Sequence, residues 1–306
     1  MTLLLEKTTA LGLLLGGWSE LDRCWEEEPF VVRGLPPFDD VCSLDDVNRL
    51  VFEEVHDRSF FRLFDGGVEQ PATTAARRRE RSSGDNAALL DPDETRRMVA
   101  TGHTLVLEEL RTLIPGVDAF TRALESELGH HCYCAAFLSP PAAVGAGAHW
   151  DVGSVFLRQL HGGKSWRLGR PVEPAIRRPW NRASVTFQDP VTFELGEGDC
   201  LYIPRGWIHE GHTRSKHALH LSIAVQATTW GDILHAALDR SERSSPSLRE
   251  ALPPAWRMPS PEDAVTELGR RLAGVDLGGV CGPVDPVQRR VGSDATPGIS
   301  AWETES

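Results

Sequence analysis

Apolar positions follow two rhythms along this chain, and the change between them divides it. From Asp93 to Leu128 they return at helical spacing: Val99, Leu105, Leu107, Leu110, Leu113, then Phe120, Leu124 and Leu128, with a stop at Gly129. From Cys132 to Val225 short alternating, aromatic or β-branched runs take over (YCAAFL, SVFLRQL, KSWRL, SVTFQ, VTFEL, CLYIP, LHLSIAV), separated by Gly, Pro and Asp turns. Short strands at that spacing predict an antiparallel β sandwich or barrel. Upstream, residues 1–67 read as helices around an extended segment, Pro29-Phe30-Val31-Val32. Residues 68–96 are polar, small and charged and read as a solvated, mobile loop. Downstream, Ile233–Leu238 and Ala264–Leu272 read as helices, and the Gly-, Pro-, Ser- and Asp-rich tail from Asp276 is expected to be loosely held. Three regions follow: 1–96, a core at 97–229, and a short helical appendage at 230–306. There is no internal repeat.

Composition narrows the classes. At 306 residues the chain suffices for one large domain, or one domain with an appendage. Hydrophobic residues make up 41% and charged residues 25%, which excludes a mainly disordered or collagen-like protein. No apolar run reaches the roughly 20 residues that span a bilayer, so no membrane role is expected. The 32 basic and 44 acidic residues leave a net charge of −12, so nucleic acid is an unfavourable partner and a basic protein or peptide a favourable one. Six scattered cysteines are too sparse for a disulfide scaffold, and the apolar stretch Thr8–Trp18 lacks a basic leader and a small-x-small site. A reducing, cytoplasmic setting is the expectation.

Candidate chemistry lies in the strand-rich core. His149-Trp150-Asp151 opens an expected strand, where positions i and i+2 face the same way and present an imidazole beside a carboxylate. Far along, GDCLYIPRGWIH supplies a strand, a Pro/Gly turn and a second imidazole, His209. Two imidazoles and one carboxylate form the facial triad of non-haem Fe(II) sites. The triplet alone says little, and both histidines could equally serve structure. The sequence HHCYC carries soft-metal ligand types but has no second Cys/His pair at zinc-finger spacing.

Several stretches together resemble the JmjC/cupin-like protein hydroxylases called ribosomal oxygenases. They are GHTLVLEEL (102–110), FLSPPAAVGAGAHWDVGSVFLRQLHGGKSWRL (137–168), GDCLYIPRGWIHEG (198–211) and ALHLSIAV (218–225), with CWEEEPFVVRG (24–34) upstream. The resemblance implies a mainly β double-stranded β-helix (jelly roll) with helical flanks. It also implies Fe(II), with 2-oxoglutarate and O2 as cosubstrates, and His149, Asp151 and His209 as metal ligands. Lys164, after the turn His161-Gly162-Gly163, occupies the position at which the family places the base that pairs with the far carboxylate of 2-oxoglutarate. A dicarboxylate chelating a metal through one end leaves a second anion to be neutralised in a dry pocket.

Departures from the family bear on the pocket. Family members carry Asn-x-Tyr-x-Thr-Pro before the metal motif; this chain reads Ala135-Ala136-Phe137-Leu138-Ser139-Pro140. Ser139 keeps a hydroxyl for the cosubstrate, and His220, in the last expected strand, is a further candidate to support metal or cosubstrate. Trp150, Arg158 and Trp207 are pocket candidates. Family members continue through a helical dimerisation region into a winged helix, whereas here a helical appendage, suited at most to a homodimer, is expected. The implied activity is hydroxylation of a protein or peptide side chain, on a ribosomal protein or a peptide natural-product precursor. A non-catalytic metal-binding cupin module and a cupin using Mn or Zn for other chemistry are the competing readings.

Overall fold

The computed structural model describes residues 9–54, 56–71, 76–80, 86–177, 179–180, 185–253 and 260–275. Thirteen strands are described: β1 (Phe30–Val32), β2 (Phe61–Asp65), β3 (Val68–Glu69), β4 (Ala76–Glu80), β5 (Asn86–Leu90), β6 (Thr104–Leu107), β7 (His131–Ser139), β8 (Ser154–His161), β9 (Lys164–Gly169), β10 (Val191–Leu195), β11 (Cys200–Ile203), β12 (Ile208–Thr213) and β13 (Ala218–Gln226). Eight form one sheet in the order β1-β11-β8-β13-β7-β6-β2-β3, and a second sheet runs β10-β9-β12. Strands β4 and β5 make a separate two-stranded sheet. This is the jelly-roll arrangement the resemblance implies.

Alternation along each strand separates two faces of the large sheet. Phe61, Leu63, Leu105, Leu107, Cys132, Cys134, Ala136, Leu138, Phe156, Tyr202, Leu221 and Ile223 point outward, into a core shared with helical Leu14, Val47, Leu50, Val117 and Leu124. Their neighbours point the other way. Val155, Leu157, Leu201 and Ile203 meet Trp166, Leu168 and Leu195 of the small sheet, and Phe64, Val106 and Ala135 cluster with Tyr133 and Phe137. Burying one such side chain is worth about 1.5–3 kcal/mol, and a one-residue slip would turn a whole strand inside out. The register, and so the inward-facing set, is fixed by this packing.

Helix ends are specified locally. Leu44–Phe52 starts at a capping box in which Asp46 N–H donates to Ser43 Oγ (3.1 Å) and Ser43 N–H donates to Asp46 Oδ2 (3.0 Å). Pro92–Ala100 starts with Pro at its first turn behind an Asp91 cap.

The division at 96 does not separate structural bodies. Strands β1, β2 and β3 from the N-terminal region join the same sheet as the core strands, and residues 1–128 and 132–226 form one compact unit. The stretch 68–96, expected as a loop, contains β3, β4, β5 and the start of the Pro92–Ala100 helix. β3 folds back on β2 across Gly66 and Gly67, at φ of 54° and 86°, where side chains are disfavoured. Pairing through the backbone, rather than apolar alternation, forms these strands. Residues 104–107 also differ from the expected helical spacing, forming β6 between β2 and β7.

A second unit comprises 129–131 and 227–306; its described helices are Trp230–Ser244, capped by Thr229, and Pro261–Leu272, capped by Ser260. The tail from Asp276 lies outside the described residues. Cys24, Cys42, Cys132, Cys134 and Cys200 are buried and in no disulfide, and among the described residues no helix is long and apolar enough to cross a membrane.

Candidate metal centre

After Pro140 the chain runs as an irregular strand beside β12. Thr213 N–H donates to Ala143 O (2.9 Å) and Gly145 N–H to Gly211 O (3.3 Å). His149 and His209 then exchange both backbone hydrogen bonds, at 3.1 and 2.8 Å, and Gly206 N–H donates to Asp151 O at 2.8 Å. Residues distant in sequence are thus locked together through main-chain atoms. The expected strand at His149 differs in detail: β8 begins at Ser154, and His149 forms an isolated bridge to His209. Gly153 sits where a Cβ would lie 2.8 Å from Val225 O, so the chain bends closely against β13 before β8 starts.

His149, Asp151 and His209 each aim one ligand atom at a common point, all within 4.8 Å of one another. Asp151 Oδ1 lies 3.9 Å from His149 Nε2, and Oδ2 lies 3.5 Å from His209 Nε2. Each imidazole is oriented by its other nitrogen: His149 Nδ1 meets Gly147 O at 2.7 Å, and His209 Nδ1 meets Trp207 O at 3.0 Å. Donation from Nδ1–H to those carbonyls leaves each Nε2 lone pair facing Asp151, the tautomer a metal needs. Burial, with His149 nearby, pushes His209 down to about 4, so it is neutral and able to ligate at physiological pH.

Lys164 opens β9 below this centre and is 1% exposed. Its ammonium donates to Ser139 Oγ at 2.9 Å, and Ser139 also accepts from Thr104 Oγ1 at 3.1 Å. Among the described residues no carboxylate reaches Lys164, and burial lowers it to about 7. His220 is buried beside it, stacked on Phe137 at 4.9 Å and edge-on to Trp166 at 5.3 Å. Among the described residues, both nitrogens of His220, Trp166 Nε1 and Thr213 Oγ1 have no hydrogen-bond partner. Burial, then Lys164, holds His220 well below the usual imidazole range. Unsatisfied buried donors around an uncompensated cation are what a bound anion would repair.

Sequence reasoning missed a charged cluster on β2, β3 and the end of β6. Arg62, Glu69 and Glu108 meet there: Arg62 grips Glu69 through Nε and Nη2, both at 2.6 Å, and reaches Glu108 at 3.4 Å. Desolvation raises Glu108. The signal was available in Thr104-x-Val106-x-Glu108, whose alternation puts a carboxylate on the inward face once 104–107 is read as a strand. Trp180, whose ring lies 5.8 Å from that of His149, was likewise missed.

Of the expected pocket residues, Arg158 is not one. It lies on the outward face, 1% exposed, donating to the carbonyls of Gly198 and Pro36 and standing over Phe38. Trp207 is packed with Leu168 and Ile203, its indole donating to Glu27 O at 3.3 Å. Trp150 stands between the two ligands, half-buried.

This fold and this triad define a cupin-type double-stranded β-helix with a two-histidine, one-carboxylate centre. Residues 109–233 match the JmjC domain model, and this part of the chain belongs to the JmjC family. Ribosomal oxygenase 1 of Rattus norvegicus is 31% identical over 229 residues, covering 71% of this chain and 36% of that protein. A Dictyostelium discoideum protein named bifunctional lysine-specific demethylase and histidyl-hydroxylase NO66 is 34% identical over 128 residues, 38% of this chain and 25% of its own length. The chain thus spans about a third or less of these relatives. Among solved structures, Escherichia coli YcfD, a ribosomal oxygenase in complex with cobalt and 2-oxoglutarate, aligns with a TM-score of 0.51 at 23% identity, over 83% of this chain and 66% of that one. That likeness establishes the shared fold.

Proposed function

We propose that the protein is an Fe(II)- and 2-oxoglutarate-dependent oxygenase that hydroxylates a side chain of a protein or peptide and releases succinate and CO2. The observation that carries the reading is a buried ammonium, Lys164, with no acid partner among the described residues, on the strand β9 that pairs with β12, which carries His209 of a two-histidine, one-carboxylate triad. The donor set fits Fe(II), since three protein ligands on one face leave positions for a bidentate cosubstrate and O2. When bound, the metal and cosubstrate supply the oxidant that replaces C–H by C–OH.

The chain's own residues do the rest. His149, Asp151 and His209 would hold the metal, with their tautomers set by Gly147 and Trp207 carbonyls. Lys164 would neutralise the far carboxylate of 2-oxoglutarate, and Ser139, which already accepts from the amine, would fix its direction. His220 and Thr213 present buried polar atoms to the same space, while Phe137 and Trp166 wall it against water. Ser139 thereby takes part of the role of the absent Asn and Tyr.

The finer reading is a basic protein or peptide substrate, consistent with the net charge of −12, which also disfavours nucleic acid. It includes a cytoplasmic setting without membrane attachment, and a homodimer through the helical appendage. The ribosomal oxygenase relatives favour a ribosomal protein as substrate over a natural-product peptide. The test is succinate release from 2-oxoglutarate with candidate peptides, read together with a single added oxygen by mass spectrometry. Metal binding without any turnover would instead make the protein a non-catalytic module.

A further inference from the structure

We propose that Glu26 is a positioning residue of the metal centre: its carboxylate holds the turn Pro204–Trp207, from which both Asp151 and His209 are aimed. The proposal rests on the reading of the triad as a metal site, and it gives a role to the upstream segment CWEEEPFVVRG.

The turn is a common reference for two ligands. Trp207 N–H donates to Pro204 O at 3.3 Å and closes it. Within it, Gly206 N–H donates to Asp151 O at 2.8 Å, and Trp207 O meets His209 Nδ1 at 3.0 Å. The first bond fixes the backbone from which the Asp151 carboxylate projects. The second fixes the plane of the His209 ring. A displaced turn therefore moves two members of the triad together.

A ring of hydrogen bonds holds the turn, and its direction is set by chemistry. Glu26 N–H donates to Tyr202 Oη at 3.1 Å, Tyr202 O–H to Ser154 Oγ at 3.3 Å, and Ser154 O–H to Glu26 Oε1 at 3.5 Å. Arg205 joins it twice: its backbone N–H donates to Ser154 Oγ at 3.2 Å, and its Nε donates to Glu26 Oε2 at 2.7 Å. Amide and guanidinium groups only donate and a carboxylate only accepts, so one orientation of each hydroxyl satisfies the whole ring. Both paths end on the Glu26 carboxylate. Ser154 and Tyr202 are fully buried, and the side chains of Arg205 and Glu26 are 11% and 24% exposed. Water competes weakly for such bonds, and removing their acceptor leaves buried donors unsatisfied.

Its neighbours confine Glu26 further. Trp25 stacks on Tyr202 at 6.1 Å, and Glu27 O accepts from Trp207 Nε1 at 3.3 Å. Ser154 lies three residues after Asp151, so the ring grips the ligand segment from its other side as well. Glu26 itself has φ of 63°, a left-handed backbone that favours glycine. A glutamate at that position is explained by what its carboxylate holds.

The test titrates full-length protein with Co(II) and follows visible absorption, with melting temperature measured alongside. Glu26→Gly suits the left-handed backbone and removes only the side chain, whereas Glu26→Gln keeps an acceptor. Glu26→Gly is expected to weaken Co(II) about tenfold, the low end for losing a group that orients metal ligands, and to change the band shape of the bound ion. Glu26→Gln is expected to recover most of the affinity and the wild-type band. Wild-type affinity and band shape in Glu26→Gly, whatever its melting temperature, overturn the proposal by leaving a merely structural contact. A Glu26→Gln variant as impaired as Glu26→Gly overturns it too. If Glu26→Gly does not fold, Ser154→Ala decides, since it removes the hydroxyl that joins the two paths. That variant is expected to weaken Co(II) and alter the band, and wild-type behaviour in it overturns the proposal. Failure of the wild type to bind Co(II) would overturn the metal-site reading itself. Wild-type binding with an unchanged Glu26→Gly overturns only the assignment of Glu26.

Discussion

Lys164 gives the sharpest prediction, because it is buried and no carboxylate among the described residues reaches it. Burial brings it to about 7, so at pH 8 only about a tenth of the ligand-free protein carries the ammonium. A bound carboxylate restores the charge, so binding one 2-oxoglutarate at pH 8 should take up about 0.9 proton. Between pH 7 and 9 the dissociation constant should rise about fiftyfold, following the shrinking ammonium fraction, provided the bound lysine stays protonated. Calorimetry in buffers of different ionisation enthalpy measures the uptake directly. Lys164→Met should weaken 2-oxoglutarate by about 2–5 kcal/mol, abolish the uptake and flatten the pH dependence. The same residue costs stability. Its folded value lies below the unfolded one, so the unfolded chain holds the extra proton between pH 7 and about 10. Stability should therefore rise with pH across that window, and the penalty is fully present below pH 7, where it is roughly 5 kcal/mol. Ligand-free Lys164→Met should accordingly melt higher than wild type near neutral pH. No proton uptake at pH 8, an affinity flat from pH 7 to 9, or a lowered melting temperature in Lys164→Met would refute the reasoning.

His149→Ala or Asp151→Ala should abolish stoichiometric Co(II) binding in a titration followed by visible absorption, with the fold retained by circular dichroism. Arg205→Met breaks a paired contact to Glu26, 2.7 Å from Nε, at the turn whose Gly206 N–H holds Asp151; it should cost about 1–3 kcal/mol in chemical denaturation and also weaken Co(II) binding. Stability loss without any change in metal affinity would show that this turn does not position the ligands. Gly211→Ala places a Cβ 2.8 Å from the Trp166 ring and should destabilise by about 1–3 kcal/mol, read from the urea midpoint.

Strands β7, β8, β11 and β13 were legible because both faces of the large sheet are buried there, which leaves short, nearly continuous apolar runs between turns. The triad was legible through its flanking residues and not through the His-x-Asp triplet, whose geometry comes from the His149–His209 bridge rather than from a strand. The segment around β6 was ambiguous for a physical reason: Leu105, Leu107 and Leu110 fit a helix face as well as a strand followed by a helical turn. Glu108 was hidden by that ambiguity. The β4–β5 pair was invisible because its Arg-rich strand has no apolar rhythm, and ladder bonds leave no mark in composition. Arg158 misled because a charged residue in an otherwise apolar strand reads as functional; the carbonyls that satisfy it belong to Gly198 and Pro36, remote in sequence.

The two-way main-chain link between His149 and His209 has a consequence for how the protein acquires its ion. In domains nucleated by zinc, the metal gathers a disordered chain, and its removal unravels the fold. Here the paired backbone bonds of His149 and His209 bring those two donors together as the sheet forms, so that part of the entropy is spent during folding rather than on metal binding. Loading can therefore be a late and reversible event, and a chelator should empty the protein while leaving its melting curve largely in place.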